Sequence, residues 1–207
     1  MTEREYIDTL VPERVPELRA MEARAEAERF PIIGPACGHL CYQVARTIGA
    51  RRVFELGSGF GYSTAFFARA VVENGGGVVH HTVWDQALSD RARGHLDALG
   101  YGGVVTYHVA EAVEALRRTP GPFDIVFNDI DKEGYPGALA PIEEALRPGG
   151  VLLVDNMLWG GRVYDSRDHS PATEGVRELT RRLRASPRWI TSLVPLRDGL
   201  VVATWLG

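Results

Sequence analysis

Val53-Phe-Glu-Leu-Gly-Ser-Gly-Phe-Gly-Tyr-Ser-Thr64 decides the reading of this chain. Residues 53–56 form a short apolar run suited to a buried strand, and Gly57, Ser58, Gly59 and Gly61 cannot continue it. From Tyr62 onward, Tyr-Ser-Thr-Ala-Phe-Phe-Ala-Arg-Ala-Val has the length and apolar spacing of a helix. A strand, a glycine-rich turn and a helix start let bare backbone approach a ligand while amide N–H groups point at it. The spacing is G-x-G-x-G, not the G-x-G-x-x-G of pyrophosphate-binding loops. Glu55, at the end of the strand, would repel a diphosphate and suit a cationic group. Together these features favour S-adenosylmethionine, whose amino group and sulfonium are both positive, over NAD. A turn that binds nothing is the bland alternative.

Outward from that stretch, strands and helices alternate. On the N-terminal side, residues 36–48 read as a helix ending at Gly49, and Phe30-Pro-Ile-Ile-Gly-Pro35 as a break. Residues 13–29, with Leu18, Met21 and Ala25 on one side, read as an amphipathic helix. On the C-terminal side, Gly75-Gly-Gly77 is a turn, 78–84 a strand, and 86–99 a helix stopped by Gly100. Residues 104–108 are a strand and 111–118 a short helix, which Thr119-Pro-Gly-Pro122 breaks before a strand at 123–128. A helix opening at Pro136 runs to Arg147, and Pro148-Gly-Gly150 separates it from a strand at 151–155. A helix at 173–185 leads to two β-rich runs, 189–196 and 200–206, joined at Arg197-Asp-Gly199 as an antiparallel hairpin. The pattern predicts an α/β fold: a Rossmann-like, seven-stranded, mostly parallel sheet with helices on both faces and an antiparallel C-terminal hairpin strand. Residues 1–207 read as a single domain, with a helical cap at 1–49 on a core at 50–207.

Composition narrows the function classes. A hydrophobic share of 45% and a charged share of 24% are ordinary for a globular protein. The net charge of −4 argues against a nucleic-acid surface. No apolar run is long enough to span a membrane, and Met1-Thr-Glu-Arg-Glu-Tyr6 lacks the form of a signal peptide. Cys37 and Cys41, at i, i+4, read as buried free thiols on one helix face. His80 and His81 lie within a strand and read as structural. A cytoplasmic protein acting on a small molecule is expected.

Ligands in such sheets bind beyond the carboxyl ends of the strands. The strand at 123–128 runs into Asp129-Ile-Asp131-Lys132, and the strand at 151–155 ends Asp155-Asn156, so Asp129, Asp155 and Asn156 are expected at the rim that holds Gly57–Gly61. Two carboxylates and an amide oxygen form an all-oxygen set suited to Mg²⁺, with Mn²⁺ or Ca²⁺ as alternatives, rather than to zinc.

Three blocks in order, Glu55-Leu-Gly-Ser-Gly-Phe-Gly-Tyr-Ser63, Asn128-Asp-Ile-Asp-Lys-Glu-Gly-Tyr135 and Asp155-Asn-Met-Leu-Trp-Gly-Gly-Arg-Val163, resemble the metal-dependent class I S-adenosylmethionine O-methyltransferases of the catechol and caffeoyl-coenzyme A type, which have many bacterial members. The resemblance runs from about Pro31 to the C-terminus. It implies Asp129, Asp155 and Asn156 as metal ligands, with Asp129 bearing also on the cofactor and on catalysis. It implies Lys132 as general base. Gly57 and Ser63 would hold the methionine end of the cofactor, with Glu55, Ser58, Gly59 and Gly61 in the same loop. Trp159 would line the acceptor pocket, and Asp131 would touch the acceptor or brace the site. Glu111 matches an acidic position near the adenine, and Trp84 falls where an apolar residue packs on it. The resemblance also implies a homodimer. One departure stands out: the carboxylate that grips the ribose hydroxyls should fall at Val83, so it is missing or displaced to Asp85.

The chemistry fits those residue types. A phenolic hydroxyl has a pKa of about 10, so ionising it near pH 7 costs roughly 4 kcal/mol. A divalent cation chelated by two adjacent hydroxyls stabilises the developing phenolate and aligns one oxygen with the methyl group. Lys132 would accept the proton. The reading is therefore methyl transfer from S-adenosylmethionine to a hydroxyl of a catechol-like or other vicinal-diol aromatic. The alternatives are an NAD(P)-dependent oxidoreductase and a non-catalytic S-adenosylmethionine-binding protein.

Overall fold

In the computed structural model, residues 1–207 are described, the side chains of residues 3 and 4 apart. Three helices come first: α1 (Glu3–Thr9), α2 (Pro16–Glu28) and α3 (Gly34–Thr47). Alternation then begins with β1 (Arg52–Leu56), α4 (Tyr62–Glu73), β2 (Val78–Val83), α5 (Gln86–Ala98), β3 (Val105–Val109) and α6 (Ala112–Arg118). It continues through β4 (Phe123–Asn128), α7 (Tyr135–Ala145), β5 (Leu146–Val154), α8 (Pro171–Ala185), β6 (Trp189–Val194) and β7 (Leu200–Trp205).

The strands form one seven-stranded sheet in the order β3-β2-β1-β4-β5-β7-β6. Pairings among β1 to β5 are parallel, and β7 runs antiparallel to both β5 and β6. The sheet is therefore the mostly parallel one with an antiparallel C-terminal hairpin that the sequence pattern called for.

Period-2 alternation assigns each face its own core. Val53, Val79, Ile125, Phe127, Val151 and Leu153 pack with α3, α4 and α5 on one side. Phe54, Leu56, Val126, Leu152 and Val154 pack with α6, α7 and α8 on the other. Leu18, Met21 and Ala25 of α2 belong to the first of these cores, so the N-terminal helices share a core with the sheet. Each such large side chain contributes about 1.5–3 kcal/mol on burial, which is why the strand registers are firmly set.

Three elements differ from the sequence expectation. Helix α1 is additional; Thr2 caps it, and its side chain accepts from Glu5 N. The next helix begins at Pro16 rather than residue 13, because proline is favoured in a helix's first turn and displaces the start to itself. Strand β5 begins at Leu146, ahead of the expected Pro148-Gly-Gly150 turn. Phe123 pairs with Leu146 and Ile125 with Val151, so the intervening residues bulge out opposite Asp124, whose Oδ1 accepts from Arg147 Nε at 2.6 Å.

Candidate active site

Between β1 and β4 the strand order reverses, which is where an open α/β sheet leaves a crevice. At that point the loops keep pairing after the strands end. Asp129 N donates to Leu56 O at 2.9 Å, Asp155 N to Asn128 O at 3.3 Å, and Ser58 N to Thr82 O at 2.9 Å. These bonds set Gly57, Asp129 and Asp155 side by side. Gly57 has φ +85°, and a Cβ there would stand 2.5 Å from the Asp129 carbonyl oxygen, so glycine alone fits.

Beside them opens a cavity of about 690 Å³, a size typical of small-molecule sites. Gly57, Gly59, Val83, Trp84 and Glu111 reach it from the ends of β1, β2 and β3. Asp129, Asp131, Lys132, Asp155, Asn156 and Trp159 reach it from the loops after β4 and β5. Phe30, Pro31 and Ile32, between α2 and α3, and Arg197, in the β6–β7 turn, add wall that the sequence reading did not foresee. Only Arg197's place in a turn was legible; nothing in its local pattern ties it to Asp155, 42 positions away.

Five residues expected to bind the cofactor lie outside the cavity lining: Glu55, Ser58, Gly61 and Ser63 are buried, and Asp85 is exposed. Glu55 is fully buried and neither carboxylate oxygen has a hydrogen-bond partner. Burial raises its pKa to about 7, against the pull of the Ser63, Thr64 and Ser58 hydroxyls around it. Ser63 lies near Glu55, and Ser58 Oγ accepts from Thr82 N at 3.0 Å. Gly61, at φ +91°, is where α4 starts, and a Cβ on it would lie 2.9 Å from Ala92 Cβ of α5. Asp85 caps α5, its Oδ1 accepting from Leu88 N at 2.8 Å. Glu111 does line the cavity, but its carboxylate caps α6 through Val113 N at 3.0 Å and Glu114 N at 2.7 Å. Trp84 is 77% exposed, an unusual position for an indole and one open to a flat ligand.

The acidic end is tightly organised. Lys132 Nζ donates to Asp129 Oδ1 at 2.9 Å and to Ile130 O at 3.2 Å. Arg197 Nη1 donates to Asp155 Oδ2 at 2.9 Å, and Asp155 Oδ1 has no partner although the side chain is 1% exposed. Tyr135, fully buried, donates its hydroxyl to Asp155 O at 2.8 Å and fixes the strand end. Asn156 Nδ2 donates to Asp198 Oδ2 at 3.1 Å, which leaves the amide oxygen unspent. Burial holds the Asp129 carboxyl above its ordinary range despite Lys132. Burial, with the neighbouring Asp129 as second cause, takes Asp155 up to about 6. Two carboxyls so placed are short of positive charge.

Non-glycine residues rarely adopt left-handed backbone. Four do so here: Arg29 ends α2, and the other three, Asn156 (φ 58°), Trp159 (φ 48°) and Arg197 (φ 54°), line this cavity. Backbone cost of this kind collects at functional sites. Among the described residues no group of three or more His, Cys, Asp or Glu side chains is placed to hold a metal ion. The set here has two carboxylates and an amide, and its buried, unpartnered Asp155 Oδ1 beside Asp129 fits a hard, oxygen-seeking cation. The histidines lie elsewhere: His80 Nδ1 and His108 Nε2 are 2.9 Å apart against Phe54, and His81 Nδ1 meets Thr64 Oγ1 at 3.1 Å.

Residues 8–206 match the O-methyltransferase family. A catechol O-methyltransferase of Niastella koreensis is 30% identical over 174 residues, covering 82% of this chain and 78% of that protein. One of Mycobacterium tuberculosis is 30% identical over 177 residues, covering 84% and 80%. Among solved structures, an O-methyltransferase from Streptomyces achromogenes involved in tomaymycin synthesis, in complex with SAM, superposes with a TM-score of 0.88 at 27% identity over the whole of both chains. Among the described residues no helix is long and apolar enough to cross a membrane.

Proposed function

The chain belongs to the O-methyltransferase family of enzymes, and from that premise we propose that it transfers the methyl group of S-adenosylmethionine to one hydroxyl of a small vicinal-diol aromatic, such as a catechol, with a divalent cation at Asp129, Asp155 and Asn156. The observation that carries this reading is Asp155 Oδ1, buried and unpartnered at the head of the cavity beside Asp129 and Asn156. Mg²⁺ is the first candidate, with Mn²⁺ or Ca²⁺ as substitutes. The SAM-bound Streptomyces relative supports the choice of cofactor.

S-adenosylmethionine supplies an activated methyl on a sulfonium, and the cation, when bound, lowers the cost of a developing phenolate. The rest is work for the protein's own residues. Gly57 and Gly59 present bare backbone to the cofactor, and the exposed Trp84 indole offers a face to its adenine. Val83, and not Asp85, lines the wall there, and Asp85 Oδ1 caps the start of α5. Phe30, Pro31, Ile32 and Trp159 enclose an aromatic acceptor and exclude water around it. Lys132 is the residue placed to act as general base on the acceptor's hydroxyl, and its bond to Asp129 keeps Nζ at the reacting end.

Calorimetric titration with S-adenosylhomocysteine and, separately, NAD tests the cofactor. Saturable binding of the first alone is expected; binding of NAD alone would overturn the reading. Methylation of catechol before and after chelator tests the cation: activity should vanish with chelator and return with Mg²⁺. Asp155→Ala should lose that activity and keep S-adenosylhomocysteine affinity within about threefold. Full activity in chelator would remove the metal from the mechanism.

A further inference from the structure

The acidic end of the cavity carries a fixed positive charge that the proposed chemistry does not use. Arg197 sits in the β6–β7 turn with φ 54°, a conformation that favours glycine, yet it bears a long cationic side chain. Its stem lies along the first turn of α3, with Cδ 3.9 Å from the point where a Cβ on Gly34 would stand. Its Nη1 reaches Asp155 Oδ2 at 2.9 Å, in a site where Asp155 is 1% exposed. On the other flank, Lys132 Nζ holds Asp129 Oδ1 at 2.9 Å.

Each carboxylate of the ligand set has therefore given one oxygen to a basic side chain, Asp155 to Arg197 and Asp129 to Lys132. Asp198 stands close by, but its carboxylate is engaged by Asn156 Nδ2 at 3.1 Å and Gly160 N at 2.7 Å. A divalent ion entering here meets a guanidinium on the same carboxylate it must use. Beside the buried Asp155 that repulsion is weakly screened.

We propose that Arg197 is a built-in cation of the active site that competes with the divalent ion for Asp155 and weakens its binding. This rests on the reading of Asp129, Asp155 and Asn156 as ligands. Arg197→Gly suits the left-handed turn and deletes the charge. Arg197→Gln deletes the charge but keeps a polar stem, and Arg197→Lys keeps the charge.

Mn²⁺ binding to the full-length protein, read from the loss of the free-ion electron paramagnetic resonance signal, tests the idea without any turnover. S-adenosylhomocysteine affinity, expected to stay within about threefold, checks that each variant is folded. Arg197→Gly and Arg197→Gln should bind Mn²⁺ at least about tenfold more tightly than the parent protein. Arg197→Lys should match the parent, and Asp155→Ala should bind none. Equal Mn²⁺ affinity in the parent, Gly and Gln variants, with binding lost in Asp155→Ala, overturns the role of Arg197 and leaves the ligand reading standing. Tightening in Arg197→Lys as large as in Arg197→Gly also overturns it, because the charge would not be the cause. No Mn²⁺ binding by any variant overturns the ligand reading and the Arg197 inference together.

Discussion

Lys132 is 11% exposed at its side chain and is held on two sides, by Asp129 Oδ1 at 2.9 Å and by Ile130 O at 3.2 Å. A lysine that served only solubility would not be tethered inside a cavity. Lys132→Gln keeps much of the stem and a hydrogen-bond donor but cannot take a proton. It should lower kcat by about 10²–10⁴-fold, the range of general acid–base catalysis, and leave S-adenosylhomocysteine affinity nearly unchanged. A loss confined to KM would instead make Lys132 an acceptor-binding group. At this scale the sequence was informative where chemistry follows a strand end. Asp129, Asp131, Lys132, Asp155, Asn156 and Trp159 all reach the cavity. It was uninformative where a side chain's direction matters. Glu55 and Ser63 lie in the glycine stretch, yet both are buried and outside the cavity lining, since alternation puts Glu55 on the same inward face as Val53. Arg197 was invisible because its role depends on a fold-level contact.

Helix α8 does more than cover the sheet. Gly175 packs so closely on the Lys132–Gly134 turn that an added Cβ would strike the Lys132 carbonyl oxygen and stand 3.1 Å from Glu133 Cα. The helix thereby sets the height of the loop that carries the proposed base. Gly175→Ala gives the helix a better helix former but forces that loop outward. The expected result is a net stability loss of about 1–3 kcal/mol in urea unfolding and a kcat lower by tenfold or more, since small misplacements of reacting groups are costly. S-adenosylhomocysteine affinity should hold, because Gly57 and Gly59 lie on other loops. An unchanged kcat would mean that α8 does not position Lys132. Elements of this kind were mostly legible, because apolar period and glycine or proline stops mark them. Helix α1 was not: its seven residues carry too little apolar periodicity to show. The bulge in β5 was read as a turn because Pro148-Gly-Gly150 is turn-like in any context, and only the pairing with β4 reveals it as strand.

Over the whole molecule, the sheet buries ionisable groups whose protonation pulls stability in opposite directions. His81 and His80, in β2, are pushed by burial down to about 3 and about 4, and His108 beside them is lowered as well. A histidine depressed in the fold binds its proton more readily in the unfolded chain, near its ordinary value of about 6.5. Its stabilising contribution is therefore present above that value and is lost as pH falls toward the folded value. Glu55 works the other way. Raised to about 7 in the fold, it favours the folded state below its ordinary range and loses that contribution as pH rises through 7. Asp155, raised to about 6, and Asp129 pull the same way as Glu55, so these carboxyls offset much of what the two β2 histidines lose, at about 1.4 kcal/mol for each unit of difference. The histidines should win. The cofactor-free protein is expected to lose only about 1 kcal/mol of unfolding free energy between pH 7 and pH 4.5, because the raised carboxyls offset most of the histidine cost. Urea unfolding across that interval measures it. In Glu55→Gln, where one of the opposing carboxyls is gone, the fall toward acid should be steeper, by about 2 kcal/mol more than in the parent protein. A Glu55→Gln protein as stable at pH 4.5 as at pH 7 would show that His80 and His81 find protons inside the sheet without cost, and that Phe54, stacked 5.4 Å from His80, does not seal that side of the sheet from water.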